Sequence, residues 1–165
     1  MLKIVKAGTE DIQVIRDITQ EVWPATYYPI VGEVQVNYML DLFYSPASLE
    51  VQMTTGGNEF LICMDDDDTP VGFAAFSEVA HGVYKLHKLY ILTTVQGKGV
   101  GKLLVNHICN DLKGRAGNEL RLNVNRHNSP AIGFYKKMGF VEIGVEDIEI
   151  GNGYFMNDFV FSRGL

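Results

Sequence analysis

Seven consecutive residues, Gln96-Gly97-Lys98-Gly99-Val100-Gly101-Lys102, join an apolar, strand-like run to a helical one. Glycines in such a turn let main chain approach a ligand without interference from Cβ. The N–H groups that open a helix are unpaired and sit at the positive end of its dipole, so the turn suits a phosphate or pyrophosphate. Lys98 and Lys102 add charge at the same place. Two common phosphate loops are excluded. A nucleotide P-loop needs G-x-x-x-x-G-K followed by Ser or Thr; here Gln96 stands in place of the first Gly, and Leu103 where the hydroxyl should be. The dinucleotide fingerprint G-x-G-x-x-G fails because the glycines fall at positions 97, 99 and 101.

A second block runs from Asn128 to Phe140 and follows another strand-like run, Glu119 to Asn125. Its residues Asn128, Ala131, Tyr135, Gly139 and Phe140 fill every specified position of the pattern N-x-x-A-x-x-x-Y-x-x-x-G-F. The first loop fits Gln/Arg-x-x-Gly-x-Gly/Ala, a weak signal by itself. On the two blocks together the chain resembles the GNAT acyltransferase superfamily, from about Val71 to the C-terminus. At average residue usage the second block would arise by chance in well under about one chain in ten thousand. Leu86 to Ile91, Ala131 to Phe140 and Trp23 to Tyr27 are in addition similar to bacterial spermidine/spermine acetyltransferases of the PaiA type.

The resemblance implies acetyl-CoA as co-substrate and direct transfer of its acetyl group to a primary amine, with no covalent enzyme intermediate and no metal. It implies that the pantetheine arm pairs with the main chain of Leu89, Tyr90 and Ile91. The pyrophosphate would lie on Gln96, Gly97, Lys98, Gly99, Val100, Gly101 and Lys102. Asn128 matches the position that contacts the cofactor arm, and its rival role is to cap a helix. Tyr135 matches the position of the acid that protonates the departing CoA thiolate. A phenol with a pKa near 10 can do this. The rival reading is core packing, because Ala131, Phe134, Tyr135 and Met138 form one helical stripe.

The general base stays open. Deprotonating an alkylammonium of pKa about 10.4 at pH 7 costs roughly 4.6 kcal/mol, so a base or a water wire helps. His87 titrates in the right range, shares a strand face with Leu89 and Ile91, and is equally readable as a structural histidine. Glu33, at the head of a helix, is a second candidate.

The elements that must hold these residues follow from periodicity. Leu2 to Lys6 alternates like a strand; Thr9 reads as an N-cap, with Ile12, Ile15, Ile18 and Val22 at helical spacing after it. Pro24 and Pro29 predict a break between Trp23 and Val31. A helix is expected over Glu33 to Tyr44, and a short piece starts at Ser45-Pro46. Strands are expected at Phe60 to Met64, Val71 to Ser77, Val83 to Leu92, Glu119 to Asn125, Val141 to Ile148 and Tyr154 to Phe161. Helices are expected from about Gly99 to Arg115, with Val100, Leu103, Leu104, His107 and Ile108 as the apolar stripe, and from Ser129 to Met138. Four aspartates, Asp65 to Asp68, read as a hairpin turn; Pro70 and Phe76 occupy the Gly and Glu places of a calcium loop. The expected fold is α/β, an α+β mixed sheet. About seven mostly antiparallel strands, splayed at the fourth and fifth, are flanked by about four helices in one domain spanning 1–165.

Composition narrows the partners. The chain has 165 residues, 47% hydrophobic and 21% charged, the profile of a globular domain. Lys plus Arg is 14 and Asp plus Glu is 20, giving −6, which disfavours nucleic acid and favours small cationic partners. Two cysteines, Cys63 and Cys109, fit free thiols in a reducing cytoplasm. Neither an apolar leader nor a run near the 18 or so residues of a membrane span is visible. The last strand is apolar on both faces, so it lies centrally or crosses a homodimer interface. A peptide amine as acceptor and a non-catalytic acyl-CoA-binding module are the alternatives to a small amine.

Overall fold

The computed structural model describes residues 1–165. Its seven strands are β1 (Lys3–Ala7), β2 (Glu59–Met64), β3 (Pro70–Ala80), β4 (Val83–Ile91), β5 (Glu119–Asn125), β6 (Val141–Gly151) and β7 (Tyr154–Gly164). Five helices are interspersed: α1 (Ile12–Val31), α2 (Glu33–Tyr44), α3 (Pro46–Met53), α4 (Val100–Gly114) and α5 (Ser129–Lys137). The strands hydrogen-bond in the order β1-β2-β3-β4-β5-β7-β6. The β4–β5 pair is parallel, and β1–β2, β2–β3, β5–β7 and β6–β7 are antiparallel. The mixed sheet is the expected one; the short piece after Ser45 is a helix of its own and brings the count to five.

Two compact units make up the chain. The first holds Met1–Ser77 and Lys88–His107, the second Glu78–His87 and Ile108–Leu165. In the first, α1 continues through Pro24 and Pro29, where a break was expected. An interior proline costs about 3 kcal/mol. The same helix buries Ile15, Ile18, Val22 and Trp23 almost completely, at roughly 1.5–3 kcal/mol each, so burial outweighs the lost bonds. The helix stops where Gly32 takes φ +83° and its N–H reaches Tyr28 O at 3.0 Å. Thr9 is not the cap: it opens a 3₁₀ turn, Thr9–Asp11, and Asp11 accepts from the Gly8 N–H at 2.9 Å.

The stripe of α4 is rotated from the expected one. Val100, Leu104, Val105, Ile108, Cys109 and Leu112 are buried, whereas Leu103 is 37% exposed and His107 is exposed. Burial of Val105 and Cys109 moves the apolar face by one position, and tertiary contacts rather than the helix's own pattern decide that. In the second unit β7 lies between β5 and β6, so both of its edges are paired, while Phe155 on one face is 45% exposed. Cys63 and Cys109 are both free and buried, and burial raises both thiol pKa values.

Candidate active site

The first unit carries the phosphate-loop candidates. β4 and β5 pair only from Val83–Leu86 to Glu119–Leu122, and β4 then runs on to Ile91, so main chain at Leu89, Tyr90 and Ile91 lies beyond that ladder. Behind this stretch, the Leu92 N–H bonds Val71 O at 2.9 Å, and a Cβ on Gly72 would sit 3.0 Å from Tyr90 O and 2.7 Å from Ile91 Cδ1. β3 is therefore pressed against the end of β4 and holds it extended. Gln96 donates its side-chain amide to Ile91 O at 3.2 Å and ties the loop back to the strand.

Within the loop, Gly97 and Gly99 have φ of +82° and +86°, conformations that other residues adopt only with strain. The first bond into α4 runs from the Leu103 N–H to Gly99 O at 2.9 Å. That leaves the N–H groups of Val100, Gly101 and Lys102 ahead of it, at the positive end of a 15-residue helix. Gln96 to Gly99 and Lys102 are exposed, and nothing lies within 4 Å of a Cβ built on Gly97 or Gly99. An open, exposed cradle of N–H donors flanked by two lysines fits a pyrophosphate. Glu33, the first residue of α2, is exposed.

The side chain of Tyr90 enters an aromatic cluster that sequence reading missed. Trp23 packs on Tyr27, Tyr44 and Tyr90 with centroids 4.6, 5.5 and 5.7 Å away. Phe73 joins Tyr90 at 5.8 Å, the Tyr27 and Tyr90 hydroxyls are 3.3 Å apart, and Lys88 Nζ lies 4.9 Å from the Tyr44 ring centre. Burial, and to a lesser degree Tyr27, pushes the Tyr44 pKa well above its ordinary value, so that phenol stays neutral. The indole N–H of Trp23 is buried with no acceptor at bonding geometry, although it lies near enough to Tyr44 to favour the phenolate slightly. Trp23 and Tyr27 are one helical turn apart on α1, in the stretch where a break was expected, and the other rings converge from three other segments.

The second unit carries His87, Asn128 and Tyr135. His87 is exposed, one residue past the last β5-paired position, and so is not a buried core histidine. Asn128 caps α5: its side-chain oxygen accepts from the Ala131 N–H at 3.4 Å, with Pro130 in the first turn. The cap uses the amide oxygen and leaves the amide N–H₂ as donor, so capping and ligand contact are compatible. Tyr135 is 9% exposed, with Phe134 and Phe140 ring centres at 5.2 and 5.7 Å. Gly139 and Phe140 explain their place in the pattern. Gly139 ends α5 at φ +89°, and the Phe140 N–H returns to Tyr135 O at 3.0 Å. The pair thus clamps the ring and main chain of Tyr135.

Also missed was a polar network on β5, β6 and β7. Asn123 donates to Glu146 at 3.0 Å and to Asp158 at 3.3 Å, and Arg126 pairs with Asp147 at 2.7 Å. Asp158 is buried at 6% exposure, and burial raises its pKa. No cluster of three or more His, Cys, Asp or Glu is arranged to hold a metal, and no helix is long and apolar enough to cross a membrane.

A mixed sheet whose fourth strand outruns its parallel neighbour and leads through a glycine turn into a helix defines an acyl-CoA-binding class of fold. The chain belongs to the acetyltransferase (GNAT) family, whose profile matches residues 15–140. It is similar to the spermidine N(1)-acetyltransferase of Thermoplasma acidophilum, at 28% identity over 94% of this chain and 95% of that one. A crystal structure of the PaiA N-acetyltransferase of Thermoplasma acidophilum with coenzyme A superposes with a TM-score of 0.82 at 26% identity, covering 100% and 99% of the two chains. The peptidyl-lysine N-acetyltransferase YjaB of Salmonella typhimurium is 37% identical over 56% of this chain. There the alignment spans only 58% of the relative's length.

Proposed function

We propose that residues 1–165 form one catalytic domain that moves the acetyl group of acetyl-CoA to a small cationic amine of the spermidine type. The cofactor half of this reading is carried by the loop: N–H donors at the head of α4, two positive-φ glycines and two exposed lysines on one turn. The acceptor half is supported by the near-complete alignment with a spermidine acetyltransferase and by the net charge of −6.

Acetyl-CoA supplies an activated thioester. Leu89 to Ile91 offer main-chain groups to its arm, Gln96 to Lys102 offer donors to its pyrophosphate, and Asn128 offers its amide. Tyr135 supplies a proton to the leaving sulfur from a fixed ring, and attack on the thioester is direct. Similarity to the peptidyl-lysine N-acetyltransferase YjaB favours a second reading, with a lysine side chain of a peptide as acceptor.

Release of CoA from acetyl-CoA, measured against spermidine, other diamines, a lysine peptide and an N-terminal peptide, separates the two. Spermidine is expected to exceed every peptide in kcat/KM. Peptides faster than every polyamine by tenfold or more would overturn the small-amine acceptor. Absence of acetyl-CoA binding in calorimetry, alongside tight binding of another phosphate ligand such as ATP, would overturn the cofactor.

A further inference from the structure

Asp158 is the one charged residue among the buried ones. A buried carboxylate is expensive unless a cation or several donors compensate it, and this one has a single side-chain hydrogen bond, from the neutral Asn123 amide at 3.3 Å. The same amide nitrogen holds Glu146 at 3.0 Å, so two carboxylates share one uncharged donor. Arg126 is near but spent elsewhere: it bonds Asp147 at 2.7 Å and the main-chain carbonyls of Glu146 and Asp158 at 3.4 and 3.3 Å. Lys85, on β4, acts on Asp158 through space alone.

The location is informative as well. Asp158 stands opposite Asn125, the last residue of β5, at the carboxyl end of the parallel β4–β5 pair. Ligands of open α/β sheets bind at that end of the strands. From Asn125 the chain turns at Arg126, whose N–H bonds Asn157 O at 3.0 Å, and reaches Asn128 and then Tyr135 on α5. Asp158 and Glu146 thus lie opposite the end of β5 from which the chain leads to the proposed acid, and Lys85 and Arg126 offset their charge only in part, since the Asp158 pKa is still raised.

We propose that Asp158, with Glu146 held beside it by Asn123, receives the ammonium group of the acceptor and takes its proton. This rests on the acetyl-transfer reading above. The carboxylate removes one proton from R–NH₃⁺ and leaves R–NH₂ and a neutral carboxyl. The nitrogen lone pair forms the C–N bond as the C–S bond breaks. The thiolate takes a proton from Tyr135, which the second amine proton replaces, and the Asp158 proton leaves to solvent. Balance is one proton released per acetyl group moved. Burial and Glu146 raise the Asp158 pKa while Asn123, Lys85 and Arg126 lower it, and the net upward shift makes it a stronger base than an exposed aspartate.

The test is Asp158→Asn, with spermidine and acetyl-CoA, across pH. At neutral pH kcat/KM for spermidine is expected to fall by about 10²- to 10⁴-fold. The deficit shrinks toward pH 10, where the amine loses its proton unaided, and the KM for acetyl-CoA stays within about twofold. A deficit of the same size at every pH would mark a structural residue and overturn the proposal. Carboxyl NMR of the wild-type protein with CoA gives a second readout that needs neither turnover nor a folded variant. Added spermidine is expected to shift the Asp158 titration to lower pH, and no shift overturns the proposal. If wild-type protein acetylates no amine, the activity reading fails, and the spectroscopic arm still decides whether Asp158 meets an ammonium ion.

Discussion

The turn Gln96 to Lys102 and the network of Asn123, Glu146 and Asp158 solve opposite problems. The turn presents main-chain N–H groups, and two of its three glycines, Gly97 and Gly99, let the backbone reach φ of +82° and +86°. Its residues are adjacent in sequence. The network presents side chains from three strands, separated by 23 and 35 residues from Asn123. A main-chain cradle is open and exposed and tolerates different neighbours, whereas the carboxylate site depends on burial for its basicity. Groups that bind an invariant anion can be local; groups that tune a proton must be assembled.

Four further experiments break or sharpen that contrast. Tyr135→Phe keeps the ring that Phe134 and Phe140 contact and removes only the hydroxyl. With chemistry rate-limiting, kcat is expected to drop about 10²- to 10⁴-fold with little change in acetyl-CoA affinity. Wild-type kcat in the folded variant would return Tyr135 to the core.

Gly99→Val strains a φ of +86° although space around its Cβ is open, so the damage is conformational. At about 1–3 kcal/mol of strain, acetyl-CoA binding in calorimetry should weaken by roughly 5- to 150-fold. Unchanged affinity would show that this loop does not hold the cofactor.

Asp158→Asn should be more stable than wild type at neutral pH. The folded carboxyl has a raised pKa, so between the ordinary value of 3.8 and that raised value the folded state holds the extra proton. Its contribution is therefore favourable at low pH and is lost as pH climbs through that window. Thermal melts should show a gain for the variant at pH 7 that vanishes below about pH 3.8. For a chain of this size each kcal/mol corresponds to roughly 2–4 °C in Tm. A variant that is less stable at pH 7 would show that the partners of the carboxylate outweigh the cost of burying it.

Lys98→Ala should have the smallest effect. An exposed charge beside a helix N-terminus contributes about 0.3–1 kcal/mol, so KM for acetyl-CoA should rise about two- to fivefold at low ionic strength. The difference should disappear in high salt. An effect that persists there would mean a direct, shielded contact.

Legibility followed the same division. Both short blocks could be recognised because each is nearly continuous: the loop is seven residues, and Asn128 to Phe140 is one cap, one helix and one glycine stop. Alternation at Leu2 to Lys6 and apolar runs bounded by turn residues elsewhere located all seven strands to within a few residues. Pro24 and Pro29 misled, since local chain stiffness says nothing of the four buried side chains that hold α1 together. On α4 the apolar pattern admitted more than one stripe, and the packed one includes Val105 and Cys109.

By itself the sequence determined the family, the phosphate-suited turn and the helix that presents Tyr135, because each depends on backbone conformations set by near neighbours. Only the tertiary structure decided that Tyr90 belongs to an aromatic cluster with Trp23, Tyr27 and Tyr44, and that Asp158 is buried beside Glu146 on one amide. Asp158 sits in a strand whose alternation shows one more polar position, and nothing local distinguishes it from an exposed aspartate. Its chemistry comes from desolvation and from neighbours on β4, β5 and β6. Those exist only once the strands have paired in register.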